Sequence, residues 1–350
     1  MSAASLRSVI SRDMTATKVL AALAALVGAS AVLGLTSGAV TLSTQQILAA
    51  LWALITGQDN IAPQLAVITM IRLPRLLLAI LVGAVLAVSG AAMQGLFRNP
   101  LADPGLIGVS SGAALAAVLV IVLGNWLPLP SGPMTLPLAA AAGGLLATIV
   151  VYRLGRSSDG TDVATLLLAG IAINAIAGAA TGLLTYFAND TELRTLTFWL
   201  MGSLAGIGWS QFVLAGPFML LCAVALCALG RPLNAFLLGE DVAHHLGYPV
   251  ERVKALTVLL CAVAVGAAVS LAGIIGFVGL VVPHLLRLVI GADHRLLLPA
   301  SALLGAAGLV LADTAARTIV SPAELPIGIL TTLLGGPFFL FLLLRRRRQP

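Results

Sequence analysis

The chain has 350 residues, of which 60% are hydrophobic and only 9% charged, with a formal net charge of +6. A soluble domain carries about 25% charged residues, so this composition excludes a water-soluble globular protein. It predicts an all-α integral membrane protein instead. Crossing ~30 Å of hydrocarbon takes roughly 20 apolar residues at 1.5 Å each, and the length accommodates about ten such helices.

In chain order, apolar spans are predicted from Lys18 to Leu35, Ile68 to Ala92, Leu106 to Leu123, Leu136 to Val151, Val163 to Phe187 and Phe212 to Leu229. A polar break follows, then Ala255 to Leu271, Ile275 to Ile290, Leu297 to Ala312 and Ile327 to Leu344. Residues 1–17 read as a cytoplasmic N-terminal segment, 18–344 as the transmembrane domain and 345–350 as a basic cytoplasmic tail. The first span has no small-residue cleavage site at the right distance and reads as an uncleaved helix rather than a signal peptide. The three cysteines, Cys222, Cys227 and Cys261, all lie in apolar runs and show no metal-binding or disulfide spacing.

Charge placement sets the predicted orientation. With the N-terminus inside, 15 of the 19 lysines and arginines fall on the cytoplasmic face, as the positive-inside rule requires. Both termini are then cytoplasmic. Four arginines resist the bias and sit outside: Arg72, Arg75, Arg194 and Arg317. Arg72 and Arg75 flank Pro74 at a helix start, where proline presets the first turn. Either they snorkel to outer headgroups or they form a docking patch for an acidic partner. Asp313, four residues before Arg317, reads as an intrahelical ion pair.

The longest cytoplasmic loop contains GEDVAHHLGYPVERVK. Glu240 to Leu246 is predicted as a short helix, with acids at its start, His244 and His245 at its end, Gly247 at C′ and Pro249 just beyond. Such a capped helix either lies on lipid or docks onto a cytoplasmic subunit. Adjacent histidines do not share a helix face, which argues against a metal site there.

Six segments together resemble the FecCD-type permease family, the membrane subunits of bacterial ABC importers for iron siderophores, heme and vitamin B12. They are RLPR at Arg72 to Arg75, GAAMQGLFRNPLADP at Gly90 to Pro104, GEDVAHHLG at Gly239 to Gly247, GIIGFVGLVVPHLLR at Gly273 to Arg287, ADTAAR at Ala312 to Arg317 and ELPIGILTTLLGGPFFLFLL at Glu324 to Leu343. They run in family order from the second span to the last.

The resemblance implies the type II ABC importer permease architecture. It also implies a homodimer with the pathway between subunits, two cytoplasmic ATPase subunits, a periplasmic binding protein and residence in the bacterial inner membrane. It assigns Arg72, Arg75 and Arg317 to docking of the binding protein. The coupling helix falls at about 239–247, with Glu240, Asp241, His244, Leu246, Gly247 and Tyr248 toward the ATPase. The segment TYFANDTELRTLTFWLMGSLAGIGW, Thr185 to Trp209, is similar to the heme branch. Ferric siderophore or vitamin B12 is the alternative substrate, and an ion-coupled secondary transporter is the more remote reading. Met93, Gln94, Asn174, Tyr186 and Met201 are candidates for transient contacts along the path, or equally for helix packing. Neither lysine follows the glycine spacing of a phosphate-binding loop, so the chain is expected to be no enzyme. It is expected to hold no cofactor or metal, with ATP used by its partner and heme carried as substrate.

Overall fold

The computed structural model describes residues 3–38, 43–56, 66–124, 126, 132–157 and 160–346. The side chains of Arg7, Arg12, Arg345 and Arg346, and residues 347–350, lie outside the described parts.

The architecture is almost wholly helical. In order come α1 (Ala3–Thr36), α2 (Thr44–Thr56), a π-helical turn (Val67–Arg72) and α3 (Leu73–Leu96). A 3-10 turn (Pro104–Ile107) leads to α4 (Val109–Leu123) and α5 (Thr135–Leu154). A two-stranded hairpin, β1 (Arg156–Ser157) and β2 (Gly160–Thr161), precedes α6 (Val163–Phe187), α7 (Asp190–Leu200) and α8 (Trp209–Ala228). Then follow α9 (Gly230–Leu237), α10 (Glu240–His245), α11 (Val250–Ala272), α12 (Val278–Ile290), α13 (His294–Thr318) and α14 (Ile327–Arg346).

Seven helices are long and apolar enough to cross a membrane: 16–36, 67–96, 135–154, 163–187, 209–228, 250–272 and 294–318. Three shorter apolar helices, 109–123, 278–290 and 327–341, fall on the remaining predicted segments. Two differences from the sequence reading stand out. The first helix starts at Ala3, well ahead of Lys18. The second span starts at Val67, beside the predicted Ile68, so Arg72, Pro74 and Arg75, read as a helix start, lie inside it. Pro74 lacks an N–H and its ring crowds the carbonyl four residues back. The π turn before it, with Leu73 N–H bonded to Ile68 O, carries the helix past that gap.

α3 is the hub, packing on α13, α11, α8 and α12. The crossing with α13 is backbone to backbone: a Cβ on Gly83 would sit 2.2 Å from Gly305 O, and one on Gly305 2.3 Å from Gly83 O. Small residues permit such approach where no hydrophobic force drives helices together in lipid. At its far end α3 stops at Phe97 and reverses through Asn99 and Asp103. The Asp103 carboxylate accepts from Gly105 N at 2.8 Å, starting the 3-10 turn that feeds α4. α6 lies at the periphery, most of its side chains exposed.

Candidate functional site

One end of the bundle gathers Arg72 from the π turn, Arg75 from α3 and Arg317 from α13. Arg75 grips Asp313 through Nε (3.0 Å) and Nη2 (2.8 Å), and reaches Glu324 through Nη1 (3.0 Å) and Nη2 (2.9 Å). Arg317 Nε bonds the other Asp313 oxygen at 3.1 Å, the expected intrahelical pair. Asp313 is 3% exposed. It therefore sits between two guanidinium groups, which satisfies a carboxylate that burial would otherwise penalise heavily.

The same arginines cap α1. Arg72 Nη1 donates to Leu35 O, while Arg317 donates to Ser37 O (3.3 Å) and Gly34 O (3.1 Å). The last carbonyls of a helix lack intrahelical donors and carry partial negative charge, so two cations at this terminus are well placed. All three predicted docking residues thus converge, but their guanidinium groups are engaged within the chain. The sequence reading quoted the Glu324 motif without giving the residue a role; its partner lies 249 residues away, a separation that no local pattern reveals.

The opposite end carries α10. Its C-terminus closes as a Schellman turn: Tyr248 N–H bonds Ala243 O (3.1 Å), Gly247 N–H bonds His244 O (2.9 Å), and Gly247 adopts φ +86°. Glycine was expected at C′ because it alone takes this conformation without cost. Asp241, His244, His245, Leu246 and Gly247 are exposed, Ala243 is buried and Tyr248 is partly buried against the core. Leu237, Leu238, Val242 and Leu246 are exposed together along α9 and α10, an apolar face on the polar end of the bundle. Glu240 turns inward to Lys254 Nζ at 2.6 Å.

The path candidates divide. Met93 is fully buried in the core. Gln94 is buried, donating to Gly279 O (3.1 Å) and accepting from Arg287 Nη1. Asn174 donates to Gly105 O (3.1 Å) and accepts from Ser111 Oγ (2.5 Å), tying α6 to the 3-10 turn and α4. Tyr186, by contrast, is 83% exposed at the end of α6, edge-on to Phe187. Met201 lines a cavity of about 390 Å³ with Leu200, Ile274, Gly276, Gly328 and Thr332. This cavity lies between the end of α7, the 273–277 break and the start of α14, and the residues lining it carry no titratable side chain.

Two further groups were not singled out from sequence. Asn234 Nδ2 bonds Asp293 (2.6 Å), and its Oδ1 accepts from His294 N (2.8 Å), joining α9 to the start of α13. Burial opposes ionisation of Asp293, yet Asn234 and the Arg295 N–H bring it below the usual carboxylate range. His284, in the middle of α12, packs against Phe338 and Phe339. Among the described residues no three His, Cys, Asp or Glu side chains are gathered for a metal ion.

These features define a polytopic membrane transport subunit, and comparison with known proteins makes the class specific. The FecCD transport family profile matches residues 24–345. The hemin transport system permease protein HmuU of Yersinia pestis is 53% identical over 279 residues, 80% of this chain and 83% of that one. The cobalamin import system permease protein BtuC of Halobacterium salinarum is 48% identical over 273 residues, 78% of this chain and 72% of that one. A solved ABC transporter of the metal-chelate type, in an inward-facing conformation, superposes with TM-score 0.82 at 35% identity, covering 94% of this chain and 99% of that chain. The chain belongs to the FecCD transport family. It is an ABC importer permease of the bacterial inner membrane, a transport subunit rather than a catalytic one.

Proposed function

We propose that this permease conducts heme from a periplasmic binding protein to the cytoplasm by alternating access. It would act as a homodimer over two ATPase subunits. Ten spans with both termini cytoplasmic put the Arg72 end outside and the α10 end inside, an orientation supported by the 15-to-4 division of basic residues. The carrying observation is the cavity at the outer end. Its lining residues are apolar apart from Thr332, Met201 among them, and it adjoins the segment that is similar to the heme branch. A wall of weak, polarizable contacts suits passage of a large flat apolar molecule, since a strong ligand would trap it. The likeness to a hemin permease supports the same substrate.

The outer rim sets three arginines against Asp313 and Glu324. One surplus positive charge, on a frame fixed to α1, supports docking of an acidic partner. At the inner end the exposed leucines and the capped α10 support an ATPase interface, with Asp241, His244, Leu246 and Gly247 facing it and Glu240 and Tyr248 holding the helix in place. ATP belongs to that partner, and this chain needs no cofactor of its own.

The cobalamin permease relative keeps a second substrate class in view. The deciding experiment is ATP hydrolysis by the liposome-reconstituted complex with empty, heme-loaded or cobalamin-loaded binding protein. Stimulation by the heme-loaded form alone is expected. Stimulation by cobalamin or a ferric siderophore in its place overturns the heme assignment while leaving the architecture intact.

A further inference from the structure

Lys254, the fifth residue of α11, is 3% exposed and joins three elements. Its Nζ contacts Glu240 of α10 at 2.6 Å, Glu251 of its own helix at 3.1 Å and the backbone carbonyl of Thr161 in the hairpin at 2.7 Å. Glu251 also accepts from Thr161, through N–H at 3.1 Å and Oγ1 at 2.6 Å. The next residue, Asp162, is the N-cap of α6, accepting from Thr165 N at 2.8 Å. One ammonium therefore fastens the docking-shaped helix to the root of α6. All three of its donor directions are used, the full capacity of a lysine.

α6 runs 25 residues without interruption from that root to Phe187. At 1.5 Å per residue this is about 38 Å, and it leads into α7, whose last residue lines the outer cavity. α6 shares with the 16–36 span the lowest burial among the described spans, so few contacts inside the chain hold it against a rigid-body shift. A displacement of α10 pulls through Glu240 on Lys254, and through Lys254 on the Thr161 carbonyl of the hairpin. Lys254 itself is buried and bonded to all three elements, so it is the contact through which such a pull is shared.

We propose that Lys254 is a positioning residue that couples movement of α10 to α6, and so links the ATPase surface to the outer cavity. The proposal rests on the reading of α10 as the ATPase-docking helix. Lys254→Met removes the link at modest structural cost, because the two carboxylates it abandons are partly exposed, at 30% and 43% for Glu240 and Glu251, and can turn to water.

The test uses the complete complex in liposomes and reads ATPase retention, basal hydrolysis and heme uptake per ATP. Lys254→Met is expected to keep the ATPase bound and hydrolysing while uptake per ATP falls about tenfold, inside the usual 5–150-fold range of coupling. Glu251→Gln is expected to move the ratio the same way by less, and Lys254→Arg to restore most of it. Unchanged uptake per ATP in Lys254→Met overturns the proposal alone. So does a proportional loss of uptake and hydrolysis, in either Lys254→Met or Glu251→Gln, which marks a merely structural role. A native chain that retains no ATPase through α10 overturns the docking reading and this proposal together.

Discussion

Arg75 is a residue whose removal should cost this fold measurable stability. Replacing it with methionine preserves the aliphatic stem but strips Asp313 of two charge-assisted bonds, at 3.0 and 2.8 Å, and Glu324 of its partner. Breaking a buried ion pair from one side costs about 3–5 kcal/mol. Asp313 keeps the Arg317 bond at 3.1 Å, which places the expected loss at the lower end, about 3 kcal/mol. The Glu324 side chain is 38% exposed, so its share is screened and adds at most about 1 kcal/mol. Pairing Arg75→Met with Asp313→Leu removes the stranded carboxylate, and the double variant should recover about 2 kcal/mol relative to additivity. Equilibrium unfolding of the detergent-purified protein measures the cycle. An Arg75→Met protein within about 0.5 kcal/mol of native, with no coupling to Asp313, would refute the lattice. In that event Arg75 would be free to grip a partner directly, and the variant should instead lose affinity for the binding protein.

Three other outcomes follow from separate parts of the structure. Gly305→Ala drives a Cβ to 2.3 Å from Gly83 O and should cost about 1–3 kcal/mol by overpacking, whereas Gly28→Ala, with nothing within 4 Å, should be tolerated; thermal unfolding of the pair separates them. Burial raises the Asp103 carboxyl above its ordinary range, against the pull of the Gly105 N–H. The folded state thus holds that proton more tightly than the unfolded one, so the contribution is present at low pH and is lost as pH rises. Asp103→Asn should accordingly be more stable than native at neutral pH, and the gap should close as pH falls through the carboxylate range; a constant gap would remove burial as the cause. Gly247→Val places a branched residue at φ +86°, at a cost of about 1–2 kcal/mol. This should weaken ATPase retention by up to roughly 5–30-fold in a pull-down and lower global unfolding stability by no more than the same cost.

The spans were legible because the bilayer imposes a long apolar run, and a run of that length survives any uncertainty in packing. The Gly247 turn was legible for a similar reason, since a local backbone demand selects one residue type. α7 and α9 carry no such mark. They are 11 and 8 residues long, too short and too polar to register as spans. α7 is marked in the sequence by the Asn189–Glu192 capping box alone. α2, 13 residues with a largely apolar sequence, falls below span length, and the hairpin strands have two residues each. No periodicity can show in so few residues.

The charges were harder still, and for one shared reason. Counted along the chain, Lys254 is one more cytoplasmic cation and Arg75 one more exception to the positive-inside bias. Their roles come from acids and carbonyls brought in by other helices: Asp313 lies 238 residues from Arg75, and Thr161 lies 93 from Lys254. In a chain with only 9% charged residues, removing an ion from water is costly enough that few remain without purpose. The two ends of the bundle solve that problem alike, each placing buried cations among carboxylates and backbone carbonyls. At the Arg72 end the cations fix α1 to α3 and α13; at the Lys254 end the ammonium fixes α10 to α11 and the root of α6. Arg75→Met should therefore lower stability and transport together, whereas Lys254→Met should lower transport per ATP with stability largely kept. Measuring both quantities on both variants distinguishes a charge that holds the frame from one that moves with it.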